Sequence, residues 1–256
     1  MRFDTRGLTD ALYARVGTLR LGEPAPLALE TREPVVLATG GFGGSPELVA
    51  GYVGPAAPLR LRANPWSTGD GLVNGLERGG GLSAGMAEFY GRNMPDTPWT
   101  EAEYVPAAQL YARRARIFDQ GGVEFFQAAD VSWSETNVVQ ATARRPGALA
   151  YYLLTDEALA DPDLSWRLGP RIAPADLPFP APAGTAAAVR VVASITHTIG
   201  GLQVDERARV VRDDGSAVEG LYAAGVDAGG VAAGGYASGL AQALVLGLVA
   251  AEDVAG

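Results

Sequence analysis

The sequence has no cysteine. Disulfides, iron–sulfur clusters, thiol catalysis and cysteine-bound zinc are therefore excluded. Lysine is absent too, and all 20 basic residues are arginine. A Schiff-base lysine or a P-loop lysine has no candidate. The chain holds one histidine, His197, too few for a multi-histidine metal site, so no metal is expected. Positive charge is in deficit, with 20 basic against 29 acidic residues and a net charge of -9. That balance speaks against nucleic acid or an anionic bilayer surface as a partner. Long apolar runs are missing as well. The longest, Leu240 to Ala251, is too short and too rich in glycine and alanine to span a bilayer. The opening Met1-Arg2-Phe3-Asp4 has no signal-peptide pattern, so the default expectation is a cytoplasmic protein.

What is present is a folding composition. The 256 residues are 48% apolar, enough for a sizeable core. Glycine stands at 34 residues, about twice the usual ~7% share. Many backbone positions must therefore turn tightly or let something approach closely. Residues 1–15 read as a short helix and 16–31 as a β-hairpin. Val35 to Thr39 is a short buried strand running into Gly40-Gly41, and Ser45-Pro46-Glu47 starts a helix, with serine as N-cap and proline in the first turn. Thr68-Gly69-Asp70-Gly71 opens a second helix. Residues 86–133 are aromatic-rich and poorly periodic. Ser134 to Arg145 reads as a helix, Ala148 to Leu154 as a strand, and residues 161–184 as a proline-rich surface loop. Leu221 to Ala224 reads as a strand, and Ser238 can cap a last helix. The expected fold is α/β: a partial Rossmann-like domain (residues 1–64 and 191–256) with an inserted α+β cap (65–190).

Four motifs carry chemistry. Ala38-Thr39-Gly40-Gly41-Phe42 ends a strand in glycines, which suits either close approach of a cofactor or a plain tight turn. Thr68-Gly69-Asp70-Gly71 exposes helix-start N–H groups, for an anion or for a simple capped helix. His197-Thr198-Ile199-Gly200-Gly201 sets an imidazole among hydroxyls and bare backbone. Such a histidine can bond a carboxylate or carbonyl, or sit satisfied in a core. Gly220-Leu221-Tyr222-Ala223-Ala224-Gly225 leads through Asp227, Gly229 and Gly230 to a last glycine loop and helix. Its glycines serve either a ligand at the helix start or close helix packing.

Taken in this order, the four motifs resemble those of the fumarate reductase/succinate dehydrogenase flavoprotein family, over about residues 15–256. Glu88-Phe89-Tyr90-Gly91 and the Tyr236 loop look closer to its tricarballylate dehydrogenase and 3-ketosteroid dehydrogenase-like branches. The resemblance implies an FAD enzyme that moves a hydride between flavin N5 and a carbon beside a carboxylate or ketone of a small substrate. It implies FAD contacts from Thr39, Gly40, Gly41, Asp70, Gly225, Asp227, Gly229, Gly230, Ser238 and Leu240. His197 and Thr198 would bind substrate, Arg92 would help, and His197 and Tyr236 would be catalytic.

The departures are equally specific. No G-x-G-x-x-G stands in the sequence, so the expectation is a fragment, a flavin-free scaffold, or a chain whose partner supplies the nucleotide-binding half. The family's G-x-R-F-x-x-E stretch reads Gly122-Val123-Glu124-Phe125-Phe126-Gln127-Ala128. The arginine that grips a dicarboxylate in the last loop of fumarate reductases is absent, with Tyr236 nearby instead, and Arg92, Arg113, Arg114 and Arg116 are the candidates to replace it.

Overall fold

Among the described residues, two sheets, one of three strands and one of seven, organise the computed structural model. It describes residues 34–98, 100, 111–162, 170–232, 234–235 and 237–255. The expected helix at 1–15, the hairpin at 16–31 and Tyr236 lie outside them. In chain order the first strands are β1 (Val35–Leu37), β2 (Arg60–Leu61), β3 (Phe89–Pro95), β4 (Arg116–Phe118) and β5 (Glu124–Phe126). They are followed by β6 (Leu149–Leu154), β7 (Arg171–Ile172), β8 (Ala187–Thr198), β9 (Arg209–Val211) and β10 (Ala217–Ala223). The helices are α1 (Pro46–Leu48), α2 (Asp70–Glu77), α3 (Thr136–Ala143), α4 (Asp156–Ala160) and α5 (Ser238–Ala255).

The small sheet has the order β1-β10-β9, with β1 and β10 parallel. The β-branched valines at 35 and 36 suit this pairing. Its core joins Leu37, Leu221 and Tyr222 to Leu246 and Ala250 of α5. The helix is tied down by polar bonds as well. Gln242 Nε2 donates to the Gly225 carbonyl at 2.6 Å, and the Tyr222 hydroxyl donates to Asp253 at 2.9 Å. Burial lifts the Tyr222 phenol above its ordinary range, with Asp253 adding to the rise. The outer face of α5 is apolar and open: Leu240 is 76% exposed and Leu244 74%. With 18 residues and a mean hydropathy of 1.4, α5 has the length and composition of a membrane-crossing helix.

The large sheet is built around β8, whose β-branched run Val189, Val191, Val192 and Ile195 suits an interior strand. β8 pairs with β2 and β6, and also with β3 and β7. Aromatic and aliphatic residues of β6 bury on both faces. Ala150, Tyr152 and Leu154 face one cluster, and Tyr151 and Leu153 the other.

Some sequence expectations come out differently. The domain boundary expected after residue 190 falls inside β8, and β2, expected in the first domain, joins the large sheet. Among its described residues the stretch 86–133 holds three strands. β3 shows no alternation because all seven of its residues are buried. The amide nitrogen of the asparagine there is satisfied, Asn93 Nδ2 donating to Tyr152 Oη at 2.8 Å and Thr142 Oγ1 at 2.9 Å, whereas its Oδ1 is buried without a partner. The expected helix from Pro46 to Tyr52 is α1 followed by a π-helical turn, Val49–Val53. Ser45 caps it, accepting the Leu48 N–H at 3.3 Å.

Candidate functional site

The four glycine motifs meet. β1 ends in the Thr39-Gly40-Gly41 turn, where the two glycines take φ of 97° and 77°, a region that favours glycine. The Asp227 carboxylate, 1% exposed, reaches this turn from the loop after β10. It accepts the Thr39 N–H, the Thr39 hydroxyl at 3.0 Å and the Gly41 N–H at 3.0 Å. The Thr39 hydroxyl in turn accepts the Gly71 N–H, in the first turn of α2, at 3.0 Å. The Asp227 carbonyl accepts the Leu202 N–H at 2.8 Å, just past Gly200-Gly201. Space is tight at the junction. A Cβ on Gly71 would lie 2.6 Å from Asp227 Oδ2, and one on Gly201 2.6 Å from the Asp227 carbonyl oxygen.

The residues around this knot stay accessible. Thr39, Asp70, Gly230 and Leu240 are exposed, while Gly40, Gly225 and Ser238 are half-buried. The Thr68 hydroxyl donates to Asp70 at 3.1 Å. Ser238 heads α5 with its hydroxyl turned back onto the Gly235 carbonyl, 2.7 Å away. Gly229 is buried where two backbones cross, its N–H donating to the Leu202 carbonyl at 2.9 Å.

His197 sits near the end of β8, opposite Tyr90 of β3. The two rings stack, with centroids 5.1 Å apart and planes 15° apart. His197 Nδ1 lies 3.0 Å from the Thr198 carbonyl oxygen. A carbonyl only accepts, so Nδ1 carries the proton and Nε2 keeps its lone pair. Nε2 faces the first turn of α5, where a Cβ on Gly239 would be 3.0 Å away. Burial pulls the His197 pKa below its ordinary 6.5, and the Thr198 carbonyl only partly offsets this. The imidazole is therefore neutral near pH 7.

The sign of this shift has a measurable consequence. Between 6.5 and the lower folded-state pKa, the unfolded chain holds more protons at residue 197 than the folded one does. The stability associated with the neutral ring is full above pH 6.5 and falls as the pH drops through that window. As the sole histidine, it gives one imidazole resonance, and its NMR titration should show a midpoint below 6.5. A midpoint at or above 6.5 would contradict the buried neutral ring.

Arg92 is buried, at 3% exposed, and its guanidinium lies 5.0 Å from the Tyr90 ring centroid. It donates to the Tyr90 hydroxyl at 2.9 Å, to the Gly91 carbonyl at 3.2 Å and to the Ser134 carbonyl. Among the described residues no carboxylate lies within 4 Å of it. Arg92, Tyr90 and His197 thus form one stack, in which Arg92 acts on Tyr90. Sequence reasoning singled out Arg92 and His197 but gave Tyr90 no role, since only the β3–β8 register unites them. The other arginines are engaged elsewhere. Arg114 pairs with Asp161 at 2.5 Å, Arg116 with Glu124 at 2.6 Å, and Arg113 donates to the Val131 carbonyl at 2.9 Å.

Thr198 completes the site. Its hydroxyl is buried without a hydrogen-bond partner, and it would lie 2.8 Å from a Cβ on Gly41. A family described as an FAD binding domain matches residues 12–240. The chain belongs to this FAD-binding family. The resemblance to fumarate reductase-type flavoproteins holds at the level of family and fold. The chain aligns with a flavocytochrome c3 fumarate reductase in its open conformation at 20% identity and a TM-score of 0.61, covering 87% of this chain and 46% of that one. It aligns with the 3-ketosteroid Δ1-dehydrogenase of Sterolibacterium denitrificans, in complex with 1,4-androstadiene-3,17-dione, at 21% identity and a TM-score of 0.62. That alignment covers 88% of this chain and 53% of the dehydrogenase. The 3-ketosteroid-Δ4-(5α)-dehydrogenase of Rhodococcus jostii RHA1 gives 21% identity and a TM-score of 0.61 over the same shares, 88% and 53%. A short stretch of 32 residues is 56% identical to an NADH:acrylate oxidoreductase of Vibrio harveyi, covering 12% of this chain and 3% of that protein. The chain thus spans about half the length of the solved structures it matches.

The family's cofactor is FAD, and the solved structures that share the fold are a fumarate reductase and ketosteroid dehydrogenases. The residues present fit a flavin. The unpartnered Thr198 hydroxyl offers a buried hydrogen-bonding group, and Gly40 and Gly230 present accessible backbone that carries no Cβ.

Proposed function

We propose that this chain forms the flavin- and substrate-facing part of an FAD-dependent oxidoreductase acting on a carbon–carbon bond beside a ketone or carboxylate. The observation that carries the reading is the His197–Tyr90 stack next to the glycine knot. Thr39, Gly40, Gly41, Asp70, Gly225, Gly229, Gly230, Ser238 and Leu240 are assigned to hold FAD, and residues 65–190 to cover the substrate. Bound FAD supplies two-electron, hydride-level chemistry. The protein's own groups handle the proton. His197 Nε2, with its lone pair free, takes a proton from the carbon next to the carbonyl. The Tyr90 hydroxyl accepts from Arg92 and keeps its own hydrogen to donate to the carbonyl or carboxylate oxygen. Thr198 lies between this pair and the Gly41 turn. Covering the site from water strengthens each of these interactions.

Tyr236 stays a candidate proton carrier by family resemblance alone. The test is a titration of the purified protein with FAD, followed by anaerobic mixing with small ketones, ketosteroids and short carboxylic acids. Bleaching of the flavin band by one such class supports the reading. A chain that takes up no FAD defeats it.

A second reading has an observation of its own. Leu240, Leu244 and Leu248 form an exposed i, i+4, i+8 stripe on α5, and Val36 of β1 is 42% exposed. Such a surface favours a second polypeptide that completes the flavin site. We assign α5 to protein rather than to a bilayer, because Gln242 and Asp253 bind it to the small sheet. FAD uptake only after a second flavoprotein chain is added would favour this reading.

A further inference from the structure

We propose that Asp227 is a positioning residue whose carboxylate fixes the backbone of the FAD-facing turn Thr39–Gly41 and locks it to the start of α2. The proposal rests on the flavin reading and goes beyond it, since the resemblance implied only a direct contact from Asp227.

The argument begins with cost. A carboxylate with 1% exposure loses its hydration and must be compensated by partners. Among the described residues no arginine lies within 4 Å of it. Its partners are three donors of one turn: the Thr39 N–H, the Thr39 hydroxyl and the Gly41 N–H. Converging backbone N–H groups of this kind make a nest for an anion, and here the chain fills the nest itself.

The geometry also explains the residue types. Gly40 and Gly41, at φ of 97° and 77°, have wide conformational freedom, so the turn needs an external tie to hold one shape. Threonine at position 39 is needed because its hydroxyl both donates to Asp227 and accepts the Gly71 N–H. Glycine at position 71 is needed because a Cβ would come within 2.6 Å of Asp227 Oδ2. Asparagine at position 227 would keep the shape but replace one acceptor oxygen with a donor, facing an N–H or O–H of the turn. The ties span 186 and 188 residues of sequence, so the pin joins the first glycine motif to the last.

The experiment compares the wild type with Asp227→Asn, Thr39→Val and Thr39→Ser. It reads amide hydrogen exchange at residues 39–41 and 71 in the FAD-free protein, the FAD dissociation constant, the visible band shape of bound FAD, and the apo melting temperature. Asp227→Asn should speed exchange at Gly41 at least tenfold, weaken FAD about tenfold or more, and change the band shape. Thr39→Val should speed exchange at Gly71 and weaken FAD severalfold, while Thr39→Ser keeps both within twofold. A purely structural role would lower the melting temperature and leave the dissociation constant and band shape of the folded fraction alone, which overturns the proposal. Unchanged exchange at Gly41 in Asp227→Asn overturns the pin itself. Should Asp227→Asn not fold, Thr39→Val and Thr39→Ser decide by the same readings. If the wild type takes up no FAD, the flavin reading falls and the assigned role with it, whereas the exchange rates still report whether the pin exists.

Discussion

Replacing His197 by alanine in the FAD-loaded protein is expected to lower kcat/KM about 100-fold or more, the usual range for a lost general base. FAD affinity should change less than twofold, because the ring sits on the substrate side, against Tyr90. Tyr90→Phe keeps the stack and loses only the hydroxyl that Arg92 contacts. It should cost about 100-fold, the low end for one lost donor to a developing oxyanion. Added imidazole should restore part of the activity of His197→Ala and none of that of Tyr90→Phe. Full activity in His197→Ala would move the base to another residue.

The second large effect concerns folding. Gly91 lies at the irregularity where β3 crosses β8. A Cβ there would run into the Ser194 carbonyl oxygen and sit 3.0 Å from its carbon and 3.1 Å from the Phe89 ring. Backbone cannot step aside cheaply, so Gly91→Ala should destabilise by about 3 kcal/mol and lower Tm by roughly 6–12 °C. Gly247 offers the opposite case. It stands inside α5, and an added methyl would meet nothing within 4 Å. Gly247→Ala should stabilise by about 1 kcal/mol through helix propensity alone. Thermal melts of both variants check the pair, and equal shifts would contradict the packing described at β3.

Much of the small sheet and its loops could be read from sequence, because strand, glycine turn and capped helix are local signals. Ser45 before Pro46 marked a helix start, and Leu221 to Ala224 marked the C-terminal end of β10. β3 could not be read that way. Tyr90, Arg92 and Asn93 break any apolar pattern, and their partners come from β8 and α3, far along the chain. The site divides along the same line. The order of the four motifs pointed to a flavoprotein. The Nδ1–H tautomer of His197, the part played by Tyr90 and the reach of Asp227 depend on long-range register, which composition and spacing do not encode.

The path of the chain between the two sheets carries a mechanical consequence. Among the described residues the chain passes from small sheet to large after Leu37, through Gly40-Gly41, and back after Thr198, through Gly200-Gly201. Each crossing contains a pair of glycines, the residues with the lowest torsional resistance. Thr39 travels with one sheet and His197 with the other. A swing of one sheet against the other would therefore change the Thr39–His197 separation, while the Asp227 bonds keep Thr39 tied to the small sheet.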